Sequence, residues 1–265
     1  FLEEQILKLR RGQVRIFWDV DAPATLARLD EDPSDPFHAC LPQYDCVFTY
    51  GGGDPVVQRY EAMGARKCEP VYNALDPETH YPVDYDRRFD CSLAFAGNRL
   101  PDREERVLDF FFGAARNAPD DRFLLAGNGW SENAPELGNV KKIGHLYTRD
   151  HNAFNCSAKA VLNVCRQSMA ENGYSPPTRF FEAAGAGACL ITDYWKGVES
   201  FLEPGVECFT ARSGEEVAEI LRGLSREEAE SMGEKARAKL KASHTYAHRA
   251  LQTEKLLERL LAASE

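Results

Sequence analysis

The eight cysteines of this 265-residue chain form no C-x-x-C pair, which argues against a metal ribbon or a dithiol motif. Cys40, Cys46, Cys68, Cys91, Cys156, Cys165, Cys189 and Cys208 mostly fall in or beside apolar, strand-like runs and read as buried reduced thiols. A surplus of positive charge is also missing. Lys and Arg number 32 against 42 Asp and Glu, a formal net charge of −10, and that balance argues against a nucleic-acid partner because phosphate contacts need a basic surface, although local basic residues can still bind a diphosphate. The longest weakly apolar run, Ala183 to Thr192, is far too short to span a bilayer, so no transmembrane segment is expected. The opening Phe-Leu-Glu-Glu lacks the charged-then-apolar order of a secretory leader, which leaves the cytoplasm as the default location. Neither G-x-S-x-G nor a P-loop occurs. Ala184-Gly185-Ala186-Gly187 follows a helix and precedes a strand, the reverse of the dinucleotide fingerprint, which weakens a nicotinamide dehydrogenase reading. His244 and His248 stand at i and i+4, but without the Glu of H-E-x-x-H or a visible third ligand they are assigned to packing at a helix start.

What is present is an alternation of strand-like and helical segments in a chain with 43% hydrophobic residues, the pattern of an α/β protein with a mostly parallel, doubly wound sheet. Strands are expected at Val14 to Trp18, Cys46 to Tyr50 and Arg66 to Val71, joined by helices at Ala22 to Leu29 and Asp54 to Met63. Tyr72 to Arg88, rich in Pro and Asp with weak periodicity, reads as a join between domains. A second unit has strands at Ser92 to Ala96, Phe123 to Ala126, Val140 to Ile143, Val161 to Val164, Ala188 to Thr192 and Glu207 to Thr210. Its helices lie at Arg103 to Ala115, Pro177 to Gly187 and Glu215 to Leu224. After Ser225 the composition suits two amphipathic helices broken near Ala242 to Thr245.

Asn172 to Phe201 carries the most chemical information. Ser175 is a candidate N-cap with Pro176 at the first helical position, so Thr178 and Arg179 fall near a helix start, where free N–H groups and the dipole favour an anion. Glu182 lies near the same end, and the small residues Ala183 to Gly187 let the helix lie close on a sheet or let a ligand reach its backbone.

Ser175 to Gly187, then Leu190-Ile-Thr-Asp193-Tyr-Trp195 and Glu203-Pro-Gly205, resemble the carboxy-terminal domain of GT-B glycosyltransferases. The likeness covers about Cys91 to Ala262 and is greatest to the CgeB-like, spore-maturation-type branch grouped with the retaining group 1 enzymes. The resemblance implies two Rossmann-like domains with a last helix, Tyr246 to Leu261, crossing back to the first. Bounds follow at 1–76 for a partial acceptor-side domain, 77–88 for the linker, 89–242 for the nucleotide-sugar domain and 243–265 for the crossover. The first domain is expected to be incomplete, because the chain opens on Phe1 and a full acceptor domain has about twice as many strands. In that family Glu182 matches the glutamate that holds the nucleotide ribose. Gly97, Asn98 and Arg99 match the loop facing the donor diphosphate, and His145 and Tyr147 the loop packed on the nucleobase. Many group 1 enzymes carry a second glutamate eight positions before the ribose glutamate, where this chain has Tyr174.

The implied activity moves a sugar from a nucleotide-diphosphate sugar to an acceptor hydroxyl, with no cofactor, no metal and a retaining outcome. Asp19, or Asp21, is the candidate for orienting or deprotonating the acceptor hydroxyl, beside the Gly-rich Tyr50 to Asp54 loop. A strand-end helix cap and a flexible turn are the alternatives at those two places. A non-catalytic nucleotide-sugar-binding module and a nucleotide-sugar epimerase are the rival functions.

Overall fold

The computed structural model describes residues 2–9, 14–132 and 134–263. The first unit runs α1 (Leu2–Leu9), β1 (Ile16–Asp19), α2 (Ala22–Glu31), one-turn α3 (Phe37–Cys40), β2 (Cys46–Thr49), α4 (Gly53–Ala62) and β3 (Cys68–Pro70). Its strands pair in parallel in the order β1-β2-β3.

The second unit begins with β4 (Cys91–Ala96), α5 (Pro101–Asn117), β5 (Phe123–Ala126) and β6 (Val140–Gly144). It continues through α6 (His151–Ser157), β7 (Ala158–Asn163), α7 (Gln167–Asn172), α8 (Thr178–Gly185), β8 (Leu190–Asp193) and β9 (Phe209–Ala211). Three helices close the chain: α9 (Gly214–Gly223), α10 (Arg226–Ser243) and α11 (Tyr246–Ala262). All six strands are parallel, in the order β6-β5-β4-β7-β8-β9. This is a doubly wound α/β fold.

Successive side chains on a strand point to opposite faces, and β4 shows the consequence. Leu93 and Phe95 enter a core with Phe111, Val217 and Leu221 from α5 and α9. Ala94 enters the opposite core with Phe154, Phe181 and Leu240 from α6, α8 and α10. Apolar residues on both faces are what a parallel sheet covered by helices requires. Seven of the eight cysteines are buried, Cys156 is half-buried, and none is in a disulfide.

Helix starts follow their local chemistry. Pro101 opens α5 at a position where the missing N–H costs nothing. Ser225 and Glu228 form a reciprocal capping box at α10. The start of α8 differs from the sequence expectation: it begins at Thr178 with Pro177 as N-cap, so Ser175 is not the cap and Pro176 is not helical. Two consecutive prolines lack N–H groups and hold the preceding backbone extended, which delays the helix.

The last helix does cross back. Leu256 of α11 packs with Cys46, Phe48 and Val71. Gln252 donates to the Pro70 carbonyl at 2.9 Å, and Arg249 to the Tyr72 carbonyl at 3.2 Å.

Candidate functional site

In an open α/β sheet, ligands bind beyond the carboxyl ends of the strands where the winding reverses. Here that point lies between β4 and β7, which are hydrogen-bonded neighbours whose onward connections run toward opposite edges of the sheet. The expected loop Gly97 to Arg99 leaves β4 at this point. Gly97 accepts a 2.6 Å hydrogen bond from the Trp130 indole, and a Cβ added there would lie 2.9 Å from the Phe95 ring. The Asn98 side chain accepts from the Asn128 N–H at 3.0 Å. Each therefore has a structural task that fixes the loop.

The Arg99 guanidinium pairs with Glu104 and donates to the Glu132 carbonyl at 2.6 Å. Arg103, in the first turn of α5, takes the inward place. It is 7% exposed and donates to the Asn98 carbonyl at 2.6 Å, yet its Nε is buried with no partner among the described residues. Burial, and then the neighbouring Arg179 guanidinium, pull its pKa down to about 10, against the opposing pull of Asp102.

Arg179 comes from the first turn of α8. It makes no hydrogen bond or close ion pair among the described residues, and burial lowers its pKa with Glu182 opposing at longer range. Arg103 is buried and Arg179 half-buried, and two like charges with reduced solvation repel each other, an arrangement that an anion relieves. Arg166, just past β7, adds a third cation. It bridges Asp102 and Asp21, the latter at 2.7 Å and on the first-sheet side of the cleft.

Glu182 stands one turn further along α8, between two histidines absent from the sequence reading. His80, from the segment joining β3 to β4, lies 4.0 Å from its carboxylate. His151, at the start of α6, shares with Arg179, Glu182 and Asn163 the lining of a cavity of about 20 Å³. The pKa of His151 is lowered, mainly by burial, while Glu182 and a hydrogen bond to the Leu146 backbone pull the other way.

The remaining expected residues are dispersed. Thr178 is exposed at the first turn of α8, and Ser175 is buried and donates to the Gly173 carbonyl at 2.9 Å. His145 and Tyr147 are exposed and meet edge to face at 4.7 Å, while Leu146 between them turns into the Arg179–Glu182 cavity. Asp19 is 4% exposed, and its oxygens accept from Tyr60, Thr25 and the Asp21 N–H, so its hydrogen bonds are made within the first unit. The Gly51 to Gly53 loop also differs from an open cleft wall. The Gly52 N–H donates to the Tyr174 carbonyl at 2.7 Å, so this loop packs on the second unit.

A family model described as glycosyl transferase-like matches residues 103–255. The chain belongs to that family. Sucrose-phosphate synthase from Thermosynechococcus elongatus superposes with a TM-score of 0.72 at 15% identity, over 98% of this chain and 71% of that one. HepE of Anabaena in complex with UDP-glucose gives 0.66 at 12% identity, over 92% and 72%. Trehalose 6-phosphate synthase from Burkholderia multivorans gives 0.67 at 13% identity, over 100% and 75%. These likenesses show the GT-B fold. None of the curated proteins matches the sequence. For this glycosyl transferase-like chain, the matched region contains Arg103, His151, Arg166, Arg179 and Glu182, whereas His80 and the first sheet precede it.

Proposed function

We propose that this chain binds a nucleotide-diphosphate sugar at the β4/β7 switch point and transfers the sugar to an acceptor hydroxyl. The observation that carries the reading is the buried Arg103 next to the half-buried Arg179, which lines one cavity with Glu182. As the bond between the sugar anomeric carbon and the diphosphate breaks, charge grows on the departing phosphate oxygen. Arg103, Arg179 and the start of α8 stabilise it where low dielectric makes each interaction stronger. The acceptor oxygen forms the new bond to the anomeric carbon, and its proton passes to the departing phosphate oxygen. Glu182 holds the ribose, so binding energy remote from the reacting carbon sets its position. Arg99 and Asn98 support the loop, and Thr178, His145 and Tyr147 rim the site.

Because two guanidinium groups supply the positive charge, we read transfer as metal-independent. We assign the chain to the retaining, hexosyl-transferring, CgeB-like branch, in which Tyr174 replaces the second glutamate of many group 1 enzymes. The uridine nucleotide is the first donor to test, since HepE is bound to UDP-glucose in its crystal structure. Bounds of 1–76, 77–88, 89–242 and 243–265 describe the proposed division into domains. Eight cysteines with no disulfide among them suit a reducing cytoplasm.

The test is titration with UDP and with uridine, followed by measurement of UDP release from UDP-glucose. Charge-assisted hydrogen bonds are worth about 1.5–3 kcal/mol, so Arg103→Ala and Arg179→Ala should each weaken UDP binding by about ten- to a hundredfold. Uridine affinity should stay within about twofold of the parent, because the loss belongs to the phosphates. Equal losses for UDP and uridine would remove both arginines from the diphosphate site.

A further inference from the structure

The segment joining β3 to β4 is fastened at the edge of the Glu182 cavity. Leu75 donates to the His244 carbonyl at 2.8 Å, and its own carbonyl accepts from Tyr246 at 3.0 Å, so both chain crossings between the two units meet here. Next, Asp76 anchors a tight turn. Its carboxylate accepts from the Thr79 hydroxyl at 2.6 Å and the Glu78 N–H at 3.0 Å, while its carbonyl accepts from the His80 N–H at 2.9 Å. Asn152 of α6 then donates to the Thr79 carbonyl at 2.9 Å, tying the turn to the helix that carries His151. The backbone leading up to His80 is thus held in place, with only 13% of the His80 side chain exposed.

The separation between His80 Nε2 and Glu182 Oε1 is 4.0 Å. That is too long for a direct hydrogen bond, yet an oxygen at about 2.8 Å from each reaches both atoms at once. A hydroxyl has the right polarity for the position: its proton goes to the carboxylate, and its lone pair accepts the imidazole N–H. With Nε2 protonated, the other ring nitrogen carries a lone pair. This is consistent with Nδ1, which is buried without a partner among the described residues, because a bare acceptor there costs less than an orphaned N–H.

We propose that His80 is a donor-binding residue, and that one hydroxyl of the nucleotide ribose lodges between its Nε2 and the Glu182 carboxylate. This rests on the reading of Glu182 as the ribose holder. It adds to the nucleotide-sugar site a contact from outside the sheet that forms the rest of it. Because His80 sits on the segment that joins the two units, the same hydroxyl ties the bound nucleoside to the join.

The experiment titrates the whole chain, His80→Ala, His80→Asn and Glu182→Ala with UDP, ADP and GDP and with the 2′-deoxy and 3′-deoxy form of each. Thermal unfolding checks that each variant is folded. For the nucleotide that binds, His80→Ala should weaken affinity about fivefold, the worth of one net hydrogen bond. The parent should lose a similar factor with one of the two deoxy forms, and against that form His80→Ala should lose nothing more. His80→Asn, whose shorter side chain stops short of the gap, should behave as His80→Ala does.

No change in His80→Ala, or an equal loss against all three sugar forms, would overturn the proposal. If Glu182→Ala depends on the ribose hydroxyl while His80→Ala does not, His80 alone drops out. If no nucleotide binds the folded parent, the donor-site reading fails and His80 fails with it.

Discussion

Arg99 and Arg103 leave the same strand end, and burial separates what they do. Arg99 stays near the surface on Glu104, while Arg103 shares the buried stripe of α5 with Val107, Phe110, Phe111 and Ala114. That stripe is legible in the sequence, since a cation in phase with apolar residues at helical spacing is a buried cation in need of an anion. Matching Arg99 to a loop position by residue type alone passes over this signal. His80 and His151 give none, because each lies where periodicity is weak and only the folded chain brings it to Glu182. His244 makes a residue-scale prediction. Its ring packs 5.4 Å from Phe201, its Nδ1 accepts from Arg249 at 2.9 Å, and burial, then Arg249, push its pKa down from 6.5 to about 4. Above the ordinary pKa both folded and unfolded imidazoles are neutral. As pH falls from about 6.5 to about 4 the unfolded chain takes up a proton that the folded ring refuses, so stability is lost across that window. The unfolding temperature of His244→Gln should therefore fall less than that of the parent over this range. Parallel curves would show that His244 does not carry the sensitivity.

At the level of elements, the longer helices are readable and the shortest ones are not. The expected helices at Arg103 to Ala115 and Glu215 to Leu224 overlap α5 and α9, and the break near Ala242 to Thr245 falls between α10 and α11. These segments carry either a sustained apolar stripe or a capping residue. α3, α6 and α7 span too few residues to show a period, and tertiary contacts hold them in place. The Pro176-Pro177 pair shows a local signal read one step too early, as the helix begins only after both prolines. Packing between elements makes its own prediction. A Cβ at Gly233 of α10 would lie 2.0 Å from the Gly187 carbonyl oxygen, at the turn that follows α8. Neither partner is a flexible side chain, so the strain must move backbone. Gly233→Ala should cost about 1–3 kcal/mol despite the higher helix propensity of alanine, read as a lower urea midpoint at unchanged slope. A rise in midpoint would mean that α10 shifts freely.

Across the whole molecule, alternation of strands and helices makes the α/β class legible, but not the strand order or how the two units meet. The switch point between β4 and β7 exists only once the strands are ordered, and with it the reason Arg103, Arg166 and Arg179 converge. The contact between units depends on equally nonlocal fits. Arg166 reaches Asp21 across the cleft, and the Gly-rich loop after β2 lies directly on the Gly173 to Ser175 turn. A Cβ at Gly51 would sit 2.8 Å from Ser175 Oγ and 3.0 Å from its Cα, so this glycine is required by close approach. Gly51→Val should push the first unit away from the second while leaving Arg103, Arg179 and Glu182 in place. Small-angle scattering should then give a larger radius of gyration, with UDP affinity within about threefold of the parent because the diphosphate contacts lie within the second unit. UDP release from UDP-glucose should fall by about tenfold or more, since misplacing one wall of a reacting site by about 1 Å costs up to a hundredfold. An unchanged radius together with unchanged release would show that the loop yields without moving the units, and that closure at Gly51 plays no part in transfer.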